Sequence, residues 1–312
     1  YSGGFGSGQS RKHYPYIIQD SNGNRIRITY KNDQSGRIDY ITDTLNRQIK
    51  FYYENDGNGN PDKLVAVTIP GMGTNDVNQT VRFYYETMPL NSAGKFVGQI
   101  TAPATIRVLR YVYMPATKTG YKYDYNSNYG MINKITRQVG MSASTTDLNQ
   151  TGTITEGIFA ASTEYDYSDG STALTDVPKY LKRTDDWQGR TATTPQETFY
   201  SVTQNSNGDD ISKITVKDNG FDVLTESISG ANGILKQTSV KKVTTSGTLL
   251  QLMSQAEYTW TGSSKLTSLT TTNDAGMSKV TDFEYDQYNN QTNIKEHDFA
   301  SPTGTRGTLL RT

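Results

Sequence analysis

The stretches RQIKFYYEN (47–55) and QTVRFYYET (79–87) carry the same tetrapeptide, Phe-Tyr-Tyr-Glu, 32 residues apart. An aromatic residue followed by an acid recurs at Tyr53-Glu54, Tyr85-Glu86, Tyr123-Asp124, Tyr165-Asp166 and Tyr285-Asp286, with gaps of 32, 38, 42 and 120 residues. The last gap is several units long and holds degenerate copies around Tyr200 and Tyr258, and an earlier copy sits at Tyr30. Each copy runs from an alternating aromatic segment into a turn rich in Asn, Asp and Gly, then into a second alternating segment around Ile, Leu or Val, as in YDYNSNYGMINKIT (123–136). Glycine and asparagine supply positive φ in turns, and a period of two places one side of each strand inward.

Second turns follow in ITDTLNRQIKF (41–51), RTDDWQGRTAT (183–193), VKDNGFDVL (216–224) and TNDAGMSKVTDF (272–283). Strand and turn alternate with little room for helix; even LLQLMSQAEY (249–258) reads as strand from its Thr, Ser and Gly surroundings. A hairpin this small cannot bury its own apolar face, so neighbours must stack. The fold class read from the sequence is all-β, with repeated antiparallel hairpins stacked into a long spiralling sheet or hollow shell. Residues 1–15 read as a linker or the end of a preceding element, and 16–312 as the array, continuing beyond both ends. The longest insertions, TIPGMGTNDVNQT and GMSASTTDLNQTGTITEGIFA, interrupt it, and the second is expected to project from the sheet.

Composition agrees with thin burial. Hydrophobic residues make up 33% of the 312 and mean hydropathy is −0.67, yet 22 tyrosines spread nearly end to end argue against disorder. Thirty-one basic residues balance 31 acidic ones, with no long run of either sign, so no footprint for nucleic acid or an anionic membrane surface is present. No apolar run approaches the roughly 20 residues of a membrane-spanning helix. The absence of cysteine excludes a disulfide scaffold, a thiolate zinc site and a cysteine nucleophile. The first residue is Tyr and YSGGFGSGQS lacks an apolar signal core, so the chain is expected to be a piece of a longer or processed polypeptide.

YDYNSNYGMINKIT (123–136), SGRIDYITDTLNRQIKFYYEN (35–55) and FEYDQYNNQTNIKEHDF (283–299) resemble the YD-repeat, or Rhs-repeat, family, in which a Tyr-Asp pair precedes a turn carrying Gly and Arg and then an apolar-polar strand. The likeness runs from about residue 16 to 312. It implies a β-sheet that spirals into a hollow shell, secreted or surface-associated in bacteria, often around a C-terminal toxin, and adhesive in animal relatives. The implied role is structural and non-enzymatic: enclosing cargo, or alternatively forming a filament or adhesin that binds other copies of itself or surface glycans. The DPxG-type segment that marks self-cleavage in the family is missing from these 312 residues.

Residues that could carry chemistry are sparse. Asp56, Asn58, Asn60 and Asp62 alternate in NDGNGNPD, the spacing by which a tight loop offers oxygen ligands to calcium. An EF-hand loop would need Gly where Pro61 stands and Glu where Val67 stands. A polar hairpin turn is therefore the favoured reading, with calcium the only cofactor kept as an alternative. Asp185, Asp186 and Trp187 resemble glycosidase equipment, but neighbours on a strand point to opposite faces. His13 and His297, the two histidines, lie far apart in the chain and read as solvent-exposed. GGFGSG (3–8) lacks the lysine and helix that phosphate binding requires. The tyrosines read as cross-strand packing, and the acids beside them as partners of turn backbone or of a nearby Arg or Lys.

Overall fold

A computed structural model describes residues 4–5, 12–32, 36–55, 61–71, 79–91, 105–167, 180–218, 221–243, 250–262, 264–301 and 304–312. Among them there is no helix. The chain divides into two compact units, one ending at Ser162 and the other beginning at Thr163.

The first unit opens with the short pair β1 (Gly4–Phe5) and β2 (Lys12–His13). An antiparallel meander follows: β3 (Ile17–Gln19), β4 (Arg25–Tyr30), β5 (Ile38–Thr42), β6 (Gln48–Asn55), β7 (Pro61–Ile69), β8 (Gln79–Pro89), β9 (Thr105–Met114), β10 (Thr119–Tyr125) and β11 (Ile132–Val139). Each of these strands pairs with the next in the chain. After it come the two-residue strands β12 (Ser142–Ala143) and β13 (Ile154–Thr155), which pair with one another, and then β14 (Ile158–Tyr167), along which the chain passes into the second unit. That unit is a second meander of β15 (Tyr180–Trp187), β16 (Gln196–Gln204), β17 (Asp210–Asp218), β18 (Phe221–Ser229), β19 (Leu235–Val243), β20 (Leu250–Thr261), β21 (Lys265–Asn273), β22 (Ser278–Tyr285), β23 (Gln291–His297) and β24 (Leu309–Arg311). Here too every pairing is antiparallel and sequential. Of the stretch 249–258, the described residues 250–258 fall in β20, as strand reading requires.

Five of the described turns share one design. Asp20, Asp43, Asn205, Asn273 and Asp286 each open a five-residue turn in which the side-chain Oδ1 accepts the backbone N–H groups two and four residues on. The first residue's own N–H bonds the carbonyl of the fifth, at 3.0–3.1 Å. The fourth residue is left-handed in every case: Gly23, Asn46, Gly208, Gly276 and Asn289 have φ of 85°, 60°, 77°, 76° and 72°. A type I turn closed by a left-handed residue is the hairpin connection whose twist suits the strands on either side. Glycine or asparagine is required there because other side chains meet the backbone carbonyl when φ is positive.

The two faces of the first unit differ. On one, Ile18 opposes Ile26, Ile28 opposes Ile41, Ile41 opposes Ile49, and Phe51, Val67 and Val81 continue the apolar surface. On the other, a row crosses six strands from Tyr52 through Ala66, Arg82, Tyr113 and Gly120 to Gln138. All of that row beyond Tyr52 is buried, although it is the more polar face.

Replacing Gly208 by Val is expected to cost about 1–2 kcal/mol, because a β-branched residue is forced into the left-handed region. Gly208→Asn should cost much less, since Asn46 and Asn289 already hold that position elsewhere. The urea midpoints of the two variants check this.

Candidate functional site

Six aromatic residues sit in the second half of their strands, where the ladder slips by one residue. These are Tyr30, Tyr53, Tyr85, Tyr125, Trp260 and Tyr285, each beside a β-bulge. A bulge increases local twist and re-aims the side chain beside it. The Tyr53 hydroxyl donates to the Ile38 carbonyl at 3.0 Å, that of Tyr125 to Leu109 at 2.6 Å, and that of Tyr285 to Leu266 at 2.9 Å. Tyr30 donates likewise to Pro15 at 2.7 Å, and the Trp260 indole N–H to Leu235 at 2.7 Å.

The acceptors are not arbitrary. Ile38 is the residue opposite Tyr30, Leu109 is opposite Tyr85, and Leu266 is opposite Trp260. Tyr30, Tyr85 and Trp260 therefore each lie across from an apolar residue whose carbonyl receives the hydroxyl of the next aromatic along the sheet. This bond joins hairpin to hairpin.

The repeat position in 119–125 is thus held by Tyr125, two residues after Tyr123, and in β20 by Trp260 rather than Tyr258. Tyr165 lies instead in a ladder of rings, 5.0 Å from Tyr180, which lies 5.0 Å from Tyr200. The tilted and edge-on contacts bury ring faces against one another.

The acids of the repeat have separate partners. Glu54 holds Lys63 at 2.6 Å and receives the Thr151 hydroxyl at 2.7 Å. Glu86 and Asp124 share Arg110, at 3.1 and 2.7 Å, and Asp286 caps its own turn. Asp166 is exposed. Asp56, Asn58 and Asn60 lie outside the described residues, while Asp62 is paired with Arg107 at 2.7 Å. Among the described residues no three acidic or imidazole side chains converge. Asp185 is bonded by Arg183 and Thr163, whereas Asp186 accepts the Trp187 N–H. His297 is half-buried, contrary to the exposed position expected, because its Nδ1 lies 3.2 Å from the Gly307 carbonyl and its Nε2 lies 3.4 Å from Asp282.

Segment 141–157 is the feature that sequence reasoning placed wrongly. It does not project; it folds back as a strap over the row of buried residues. Met141, fully buried, packs with Tyr84 and Tyr113 to form a hydrophobic cluster, against which Tyr111, Ala143 and Ile154 lie. Gly120 makes room for it, since a Cβ there would overlap the Val112 carbonyl oxygen and come within 2.7 Å of the Met141 sulfur.

Arg82, 2% exposed, donates from Nη2 to the strap carbonyls of Asp147 and Gln150 at 3.0 and 2.6 Å. Its partners are neutral carbonyls, and among the described residues no carboxylate pairs with it. Glu156, at the far end of the strap, accepts from Lys122 at 2.8 Å, Tyr111 at 2.7 Å and Gln138 at 2.9 Å. The bonds from Lys122 and Tyr111 dominate and hold the Glu156 carboxyl down at about 2. Burial, and then the bond to Glu156, push the Tyr111 hydroxyl up to about 12. Burial acts to raise Glu54, but the bonds from Lys63 and Thr151 outweigh it and keep its carboxyl below the usual range. The arrangement holds a chain segment against a sheet, with Arg82 Nε and the Tyr84 hydroxyl buried beside it and hydrogen-bonded to no other described atom. No sequence signal marked Arg82, because burial of one strand arginine depends on a loop more than sixty residues later.

No family model matches the sequence, and no curated protein matches it. Among solved structures, the chain is similar to a porin-like protein from Bacteroides uniformis at 10% identity, over 88% of this chain and 96% of that one, with a TM-score of 0.26.

Three outcomes follow. Tyr53→Phe should destabilise the first unit by about 0.5–1.5 kcal/mol, the net worth of one hydrogen bond, measured by urea unfolding. Arg82→Ala should cost about 1.5–3 kcal/mol and make 144–153 cleavable by protease before the sheet is. Glu156 is more acidic when folded, so its contribution is present above about 4.5 and is lost as pH falls through about 2. Tyr111 is less acidic when folded, so its contribution is lost as pH rises from about 10 through about 12. Hydrogen-exchange protection factors of strap amides should follow both limbs, and Glu156→Gln should flatten the acid one.

Proposed function

We propose that this chain is a structural segment of a YD-repeat type, part of a secreted or cell-surface protein whose sheet encloses cargo, and that it performs no chemistry of its own. What supports this reading is the relay of aromatic hydroxyls onto the carbonyl opposite the preceding aromatic. That device recurs at Tyr53, Tyr125 and Tyr285, where it couples a hairpin to its neighbour, and so suits an array that extends by repetition. The acids beside the tyrosines serve the same end by pairing with Lys63, Arg110 or turn backbone. Localisation outside the cell rests on the resemblance in YDYNSNYGMINKIT and its fellow copies.

Electron microscopy of the purified chain at several concentrations, with mass spectrometry of the intact parent polypeptide, tests this. Hollow particles and a parent extending well beyond Thr312 are the expected result. Filaments with one chain per axial repeat would replace the enclosing role by self-assembly, as open heterologous contacts generate helices.

A further inference from the structure

Most arginines of the described residues are matched to carboxylates: Arg47, Arg107, Arg110, Arg190, Arg306 and Arg311 each hold at least one. Arg25 and Arg27 are different. No ion pair joins either to an acid among the described residues, and both are exposed. They alternate on β4, so both side chains leave the same face, about 6–7 Å apart along the strand. Two guanidinium groups held side by side repel one another, and a single oxyanion between them would relieve that repulsion through charge-assisted, bidentate hydrogen bonds.

The surroundings supply the rest of a site. Arg25 and Arg27 line a pocket of about 220 Å³ together with Tyr40, Thr42, Asn46 and Gln48. The sheet register builds it, since Arg27 opposes Thr42 and Thr42 opposes Gln48. Asn46 reaches the pocket because the left-handed turn brings it there, with φ of 60°. The one acid on the wall, Asp43, is already committed: it accepts the N–H groups of Leu45 and Arg47 and pairs with the Arg47 guanidinium at 2.6 Å. Its charge therefore does not cancel the two free arginines. Next to Tyr40 across the ladder stands Lys50, a further cation on the same face.

Phenol, hydroxyl and two amides beside a pair of cations offer donors and acceptors to a ligand bearing both hydroxyls and a negative group. The volume lies below the roughly 300–1,000 Å³ of drug-sized sites, which suits one ring rather than a large cofactor. We propose that this pocket binds an acidic saccharide, with its carboxylate or sulfate group between Arg25 and Arg27 and its hydroxyls against Tyr40, Asn46 and Gln48. This stands apart from the structural role proposed above: a shell or a filament could carry it equally.

The test is calorimetric titration of the chain, at low ionic strength, with a uronic-acid disaccharide, a sulfated disaccharide, a neutral disaccharide and inorganic sulfate. Binding of an acidic disaccharide at least tenfold tighter than the neutral one is expected, weakening as salt is raised. The double variant Arg25→Gln/Arg27→Gln should lose at least tenfold, with its circular dichroism and thermal unfolding unchanged because both side chains are exposed. Arg25→Lys/Arg27→Lys keeps the charge but not the planar fork, and should bind between the two. The proposal is overturned if neither acidic sugar binds, if the Gln variant binds as well as the parent, or if inorganic sulfate binds as tightly as the sulfated disaccharide.

Discussion

The structure depends on one hydrogen bond made several times: an aromatic hydroxyl or indole N–H, in the last residues of a strand, reaching a main-chain carbonyl in or just ahead of the strand before it. In an antiparallel meander the ladder joins neighbouring strands but leaves the end of each hairpin free to splay. The bulge beside Tyr53, Tyr125 or Tyr285 turns the ring back over the preceding strand, where Ile38, Leu109 or Leu266 accepts its hydroxyl. Tyrosine suits this position because its ring packs on a half-buried sheet while its polar tip finds a partner. Phenylalanine could supply the packing and would leave the carbonyl unmet. The acceptor is backbone, so no one side chain is needed there: Pro15, Ile38, Leu109, Leu235 and Leu266 all serve.

In the first unit a second constraint is superimposed on this relay. The face that the strap covers is rich in Tyr, Arg and Gln, and the aliphatic face stays partly open. Burial of Arg82 among neutral carbonyls is costly unless the geometry is held, and the strap holds it from three points: Met141 in its cluster, Thr151 on Glu54, and Glu156 on Lys122, Tyr111 and Gln138. A guanidinium deprived of water in this way selects one position of the segment above it. Fixing that position is a more natural role for these bonds than adding net stability.

Much of this fold was legible in the chain. Alternation of apolar and polar residues over segments bounded by Asn, Asp and Gly implied hairpins, and Asp43, Asn205, Asn273 and Asp286 are where those turns begin. The recurring aromatic followed by an acid marked the period. It did not mark the working position in every copy, because Tyr121, Tyr123 and Tyr125 alternate on one face and a spacing of two is equally good for each. Only the bulge between Asp124 and Tyr125 singles out the last. Trp260 escaped for a related reason: the indole N–H replaces the phenol, so the signature residue is absent while its bond is retained.

What the sequence determined by itself is local: strand periodicity, the left-handed residues of the turns and the repeated aromatic all act within one hairpin, over a few residues, through sterics and side-chain preference. What tertiary structure alone decided is which face is buried and which charges are paired. Segment 141–157 lies on strands that precede it by up to about a hundred residues, and nothing in its Ser- and Thr-rich composition states whether it projects or folds back. That outcome depends on Gly120 leaving space for Met141 and on Arg82, Glu54 and Glu156 meeting their partners simultaneously. Such contacts are set by register across several strands, and register belongs to the assembled sheet.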